Sequence, residues 1–163
     1  FLICFLMRIL AIDPGFERVG IAVLEKKQRE REELLYSACF KTSAALPFSN
    51  RLLLIGNEVE RIIKKYSPHA LAIETLFFNT NQKTAMRVAE ARGIIIFESQ
   101  KNKLAIFEYT PLQVKVAITG YGKATKKQIA SMVPRLITFT HSTKKLDDEI
   151  DAIAIGLTHG AYI

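Results

Sequence analysis

The chain predicts an α/β domain built on a five-stranded mixed sheet, with helices on both faces. Three observations carry this. The apolar segments 8–13, 18–25 and 33–41 follow one another with only turns between them, which predicts an antiparallel meander. Beyond residue 48 the apolar spacing lengthens to threes and fours and alternates with short strand-like runs, which predicts two further strands entered through helical crossovers. The Ala-Leu-Ala-Ile run at 70–73 has no polar alternation, as expected of a strand buried on both faces.

In order, Asp13-Pro-Gly ends the first strand, and the mixed-charge run Lys26 to Glu33 forms the solvated tip between the second and third. Leu52, Ile55, Val59, Ile62 and Tyr66 mark a helix over 49–66, with Ser49 as its N-cap and Pro68 as its stop. The fourth strand is 69–74. A second helix covers 80–101, where Gly93 offers a place for close helix packing. The fifth strand is 104–109, Pro111 opens a short helix to Thr119, and Gly120-Tyr-Gly-Lys is a loop. A helical pattern at 125–139 contains Pro134, which predicts a break. The last helix covers 148–159. The whole chain, 1–163, reads as one domain. Residues 1–6 are either an extension ahead of Met7 or a lengthening of the first strand.

Composition narrows the function. There are 23 Lys and Arg against 16 Asp and Glu, a net charge of +7, which favours a polyanionic partner, nucleic acid first. Cys4 and Cys39 are the only cysteines, too few for a disulfide framework or a cysteine zinc site, and they suit a reducing cytoplasm. The apolar opening stops at Arg8, short of the ~20 residues that span a bilayer, and has no basic start, so neither membrane anchor nor signal peptide is expected.

Four acids sit where chemistry is expected. Asp13 ends the first strand and Glu74 the fourth, and strand ends of an open α/β sheet form its ligand crevice. Asp148 and Asp151 are three apart and share a helix face, about 5–6 Å between Cβ atoms. Spacing leaves Asp147 open as an alternative to Asp148 and disfavours Glu149. Clustered carboxylates repel unless cations neutralise them, and an all-oxygen donor set selects hard ions such as a pair of Mg²⁺, which hydrolyse phosphodiesters. Taken singly, Asp13 could merely start a turn, and the acids near Asp148 could merely favour a helix N-terminus.

The segments Ile-Leu-Ala-Ile-Asp-Pro-Gly at 9–15, Ala-Ile-Glu-Thr-Leu-Phe-Phe-Asn-Thr-Asn at 72–81, Ala-Glu-Ala-Arg-Gly at 89–93, Tyr-Thr-Pro-Leu-Gln-Val-Lys at 109–115 and Asp-Glu-Ile-Asp-Ala-Ile-Ala-Ile-Gly-Leu-Thr-His at 148–159 resemble, in that order, the RuvC-type Holliday junction resolvases of the ribonuclease H-like superfamily. The resemblance runs from about Met7 to the end. It implies that Asp13, Glu74, Asp148 and Asp151 are the catalytic metal ligands, Asp148 rather than Asp147, with two Mg²⁺ per site and Mn²⁺ able to substitute. It implies a homodimer that cuts a four-way DNA junction symmetrically, with a branch-migration helicase complex as a further partner. Phe77 matches a residue that inserts among bases at the crossover. Lys115, and Lys126 or Lys127, match phosphate-facing lysines. Arg87 and Arg92 lie on the helix that forms the family's dimer interface and carry no assignment, and His159 suits packing or capping.

One segment departs from the pattern. Phe16-Glu-Arg-Val-Gly-Ile-Ala-Val lacks the Thr-Gly-Tyr-Gly character of resolvases and is similar to a sibling family of ribosomal-RNA-processing nucleases. That activity is the alternative, with a non-catalytic junction-binding protein as a third. A binder gains nothing from carboxylates facing phosphates.

Overall fold

A computed structural model describes residues 6–28, 30–76, 82–139 and 146–163. Its strands are β1 (Leu6–Asp13), β2 (Arg18–Lys27), β3 (Glu33–Lys41), β4 (Ala70–Glu74), β5 (Ala105–Tyr109) and β6 (Thr138–Phe139). The helices are α1 (Phe48–Tyr66), α2 (Gln82–Lys101), α3 (Pro111–Thr119), α4 (Lys126–Leu136) and α5 (Asp147–Tyr162). Among the described residues they form one sheet in the order β5-β4-β1-β2-β3-β6. β1, β2 and β3 are antiparallel, while β4 pairs parallel with β1 and β5 parallel with β4.

Both faces of the central strands are buried. On β1, Ile9 and Ala11 join the core under α3, α4 and α5, while Leu10 and Ile12 join the core under α1 and α2. All four are fully buried, and each large aliphatic side chain so placed contributes about 1.5–3 kcal/mol.

The last helix comes unusually near the sheet. A Cβ at Gly156 would lie 2.5 Å from Leu24 Cδ1 and 3.1 Å from Ala11 Cβ, and one at Gly20 would lie 2.1 Å from the Asp148 carbonyl oxygen. With Ala22, Ala152 and Ala154 in the same core, small residues line the α5–sheet seam. Glu149, disfavoured as a ligand, ties the start of α5 down: it accepts from Ser37 Oγ at 2.7 Å and from the Leu146 amide at 2.9 Å.

Several sequence expectations change. A sixth strand is present: residues after Ile137 turn extended, and Thr138–Phe139 pairs parallel with Glu33–Leu34. Pro134 lies inside α4, which ends two residues later; the missing amide deprives Ala130 of its partner, and the last turn does not extend. Pro47, not Ser49, occupies the α1 N-cap, with no side-chain cap bond. Gly93 has nothing within 4 Å of its would-be Cβ, and the close helix approach is made instead at Gly56, where an added Cβ would lie 3.1 Å from Ile94 Cγ2. No helix among the described residues is long and apolar enough to cross a membrane.

Candidate active site

Asp13 and Glu74 each stand one residue beyond the last register pair of β1 and β4, Ile12 with Ile73. They share the parity of Ala11 and Ala72, so both carboxylates face the helices α3 to α5. Two capping boxes hold those helices in place: Thr110 with Gln113 opens α3, and Thr125 with Gln128 opens α4. A cavity of about 200 Å³ results, lined by Asp13, Glu74 and Asp151 with Lys115 and Lys126 opposite.

The acids there are under electrostatic pressure. Burial, then Glu74, Asp151 and Asp148, push the Asp13 carboxyl from 3.8 up to about 7, against the opposing pull of Lys126. Glu74 is also raised, by burial and then by Asp151. Lys126 Nζ donates to Asp151 Oδ2 at 2.9 Å, and that hydrogen bond raises the ammonium pKa in turn.

Asp148 is placed differently. Its Oδ2 accepts from both Nε, at 3.0 Å, and a terminal nitrogen of Arg18, and from the Cys39 thiol at 3.5 Å. Burial pushes the Asp148 carboxyl up, but the Arg18 hydrogen bond and charge outweigh it and hold the group below its ordinary value. Three of the predicted acids therefore meet in one cavity, while Asp148 turns to Arg18 at its edge.

Lys115 lines the cavity as predicted, and Lys126 does so on a carboxylate. Lys127 lies outside it, in a smaller depression of about 120 Å³ shared with Asp147 and Asp151. Phe77 falls outside the described residues. His159 is fully buried, its Nδ1 2.7 Å from Tyr109 Oη and its ring 4.4 Å from that of Phe107, so it packs.

Sequence reasoning missed two contributors. Arg18 begins β2 beside the end of antiparallel β1, so a basic residue at that rim was the available signal. Arg92 donates through Nε to the main-chain carbonyl of Glu74 at 3.0 Å and pairs with Glu108, bracing the end of β4 from α2.

Among the described residues no three His, Cys, Asp or Glu side chains are grouped, as they stand, to hold a metal ion. The donor chemistry nevertheless fits one. All the candidate donors are carboxylates, which suit hard cations; burial first and neighbouring carboxylates second raise Asp13 and Glu74, and a divalent ion would offset both.

The model of the crossover junction endodeoxyribonuclease RuvC family matches residues 9–159. The chain belongs to the RuvC family. A RuvC of Ruminiclostridium cellulolyticum is 43% identical over 154 residues, covering 94% of this chain and 92% of that protein. One of Caldicellulosiruptor saccharolyticus is 44% identical over 153 residues, with the same coverage of both. Thermus thermophilus RuvC, solved in complex with a Holliday junction substrate, superposes with a TM-score of 0.88 at 31% identity, covering 96% of this chain and 94% of that one. The fold is accordingly ribonuclease H-like, as the resemblance implied, and RuvC nucleases depend on divalent metal.

Proposed function

We propose that this protein resolves four-way (Holliday) DNA junctions in recombination and repair, by symmetric, metal-dependent phosphodiester hydrolysis as a cytoplasmic homodimer. The observation that carries the reading is the cavity at the ends of β1 and β4, where three carboxylates face two lysines, in a chain whose relatives are named for cutting crossover junctions.

Asp13, Glu74, Asp148 and Asp151 would hold the ions. Bound there, two Mg²⁺ per site, with Mn²⁺ able to substitute, would supply Lewis-acid polarisation of the phosphodiester and charge to offset the leaving oxygen. Strand ends and a tightly seated helix keep the carboxylates in register. Lys115 meets a phosphate from the α3 side, and Lys126 exchanges Asp151 for a phosphate when DNA arrives; Lys127 serves the neighbouring backbone outside the cavity. Phe77, on the strength of the resemblance, stacks on a base at the open crossover, worth about 1–3 kcal/mol. The products carry 5′-phosphate and 3′-hydroxyl ends that a ligase can join.

The dimer has support on α2. Met86 and Phe97 are 66% and 61% exposed and share one helix face with Gly93, whose missing side chain leaves room for a partner. Two-fold pairing through that face gives one site per cut strand. A branch-migration helicase is the further partner class implied.

The test is cleavage of a labelled synthetic junction with Mg²⁺ or Mn²⁺, beside linear duplex and structured RNA. Paired symmetric nicks at the junction, lost in Asp13→Asn with junction binding retained, are expected. Cutting of RNA with the junction untouched would move the protein to the RNA-processing nucleases, and binding without cutting in either metal would make it an architectural protein.

A further inference from the structure

We infer that Arg18 is a built-in counter-ion of the metal site, occupying Asp148 until a divalent cation displaces it, and so setting the metal concentration at which the enzyme becomes active. The inference rests on the reading of Asp148 as a metal ligand.

The contacts on Asp148 are one-sided. Two of the three guanidinium nitrogens and the Cys39 thiol converge on Oδ2. Asp148 is held in place from behind as well. Gly20 lets its carbonyl sit against β2, so the carboxylate stays at the rim whether or not Arg18 holds it.

Charge makes Arg18 a competitor of the metal. A dication brought to Asp148 must displace the guanidinium from the same carboxylate oxygen, and the loss of that charge-assisted contact is subtracted from its affinity. Removal of the guanidinium is inexpensive, because its side chain is 48% exposed and can swing into water without leaving a buried charge. Lys126 on Asp151 is arranged alike, so two monovalent side chains stand on the two α5 carboxylates that two divalent ions would share.

The test measures Mn²⁺ binding to the metal-free protein without DNA, from the loss of the free aquated Mn²⁺ resonance. The proteins are wild type, Arg18→Gln, Arg18→Lys, Asp148→Asn and the double variant Arg18→Gln with Asp148→Asn. Removing one charge beside the ion is expected to tighten Mn²⁺ binding about tenfold in Arg18→Gln, and Arg18→Lys, which keeps the charge, should stay within about twofold of wild type. Asp148→Asn should weaken binding, and in that background Arg18→Gln should add nothing. Half-saturation of junction cleavage in Mg²⁺ should fall in Arg18→Gln by the same factor. Unchanged or weaker Mn²⁺ binding in Arg18→Gln, with Asp148→Asn weakened, overturns the counter-ion and leaves the ligand assignment standing. Unchanged binding in Asp148→Asn overturns both.

Discussion

Replacing Asp13 by Asn should stabilise the metal-free protein at alkaline pH. The Asp13 carboxyl stands at about 7 against an ordinary 3.8, chiefly through burial and then Glu74. The folded protein therefore keeps a proton that the unfolded chain has lost between about pH 4 and 7, and stability falls as pH rises across that window. About three pKa units at 1.36 kcal/mol each set a ceiling near 4 kcal/mol on the penalty above pH 7. Relaxation of the carboxylates towards water reduces this, so Asp13→Asn should gain about 2 kcal/mol at pH 8 and only about 0.5 kcal/mol near pH 4.5. Urea unfolding in EDTA, followed by circular dichroism at both pH values, reads the difference. A variant no more stable than wild type at pH 8, or one whose gain is the same at both, refutes the reasoning. Adding Mg²⁺ should reverse the ranking, since an ion at a hundred times its Kd stabilises the wild type by about 2.7 kcal/mol.

Arg92→Leu should lower junction cleavage roughly tenfold with little change in junction affinity, because it frees the Glu74 carbonyl from its brace without touching the cavity wall; single-turnover rates and gel-shift titrations separate the two. Gly156→Val should cost about 2–4 kcal/mol in urea unfolding, since even its Cβ collides with Leu24. Tyr109→Phe removes the hydroxyl at 2.7 Å from His159 and should cost about 1 kcal/mol while sparing cleavage, a loss visible as a lower melting temperature.

How much of this was legible in the sequence follows from the range of the interactions. Asp13 and Glu74 were readable because each closes an apolar strand run, and the parallel pairing of those strands brings them together. Asp151 was readable from helical spacing. The state of Asp148 was not: its partner Arg18 lies 130 positions away, and only the antiparallel return of β2 puts the two at one rim. Lys126 was legible as a cation of the site, yet its contact with a carboxylate depends on how α4 seats against α5. The strand Thr138–Phe139 was hidden because a two-residue strand has no period, and a helical pattern ran straight into it. On α2, exposed Met86 and Phe97 lie opposite buried Ala91 and Ile95, so apolar residues on both sides blurred the face that periodicity should reveal.

The small-residue seam beneath α5 bears on which cation the proposed site would prefer. Mg²⁺ demands oxygen ligands at about 2.0–2.1 Å in near-octahedral order, whereas Ca²⁺ accepts about 2.3–2.6 Å and looser shells. Asp148 and Asp151 ride on a helix whose approach to the Asp13 strand is limited by the contacts of Gly156 with Leu24 and Ala11. On the proposed metal-binding reading, cation preference is adjustable from the seam between α5 and the sheet: a methyl group added at Gly156 would push α5 away from the Asp13 strand and widen the span between the carboxylates without replacing any of them.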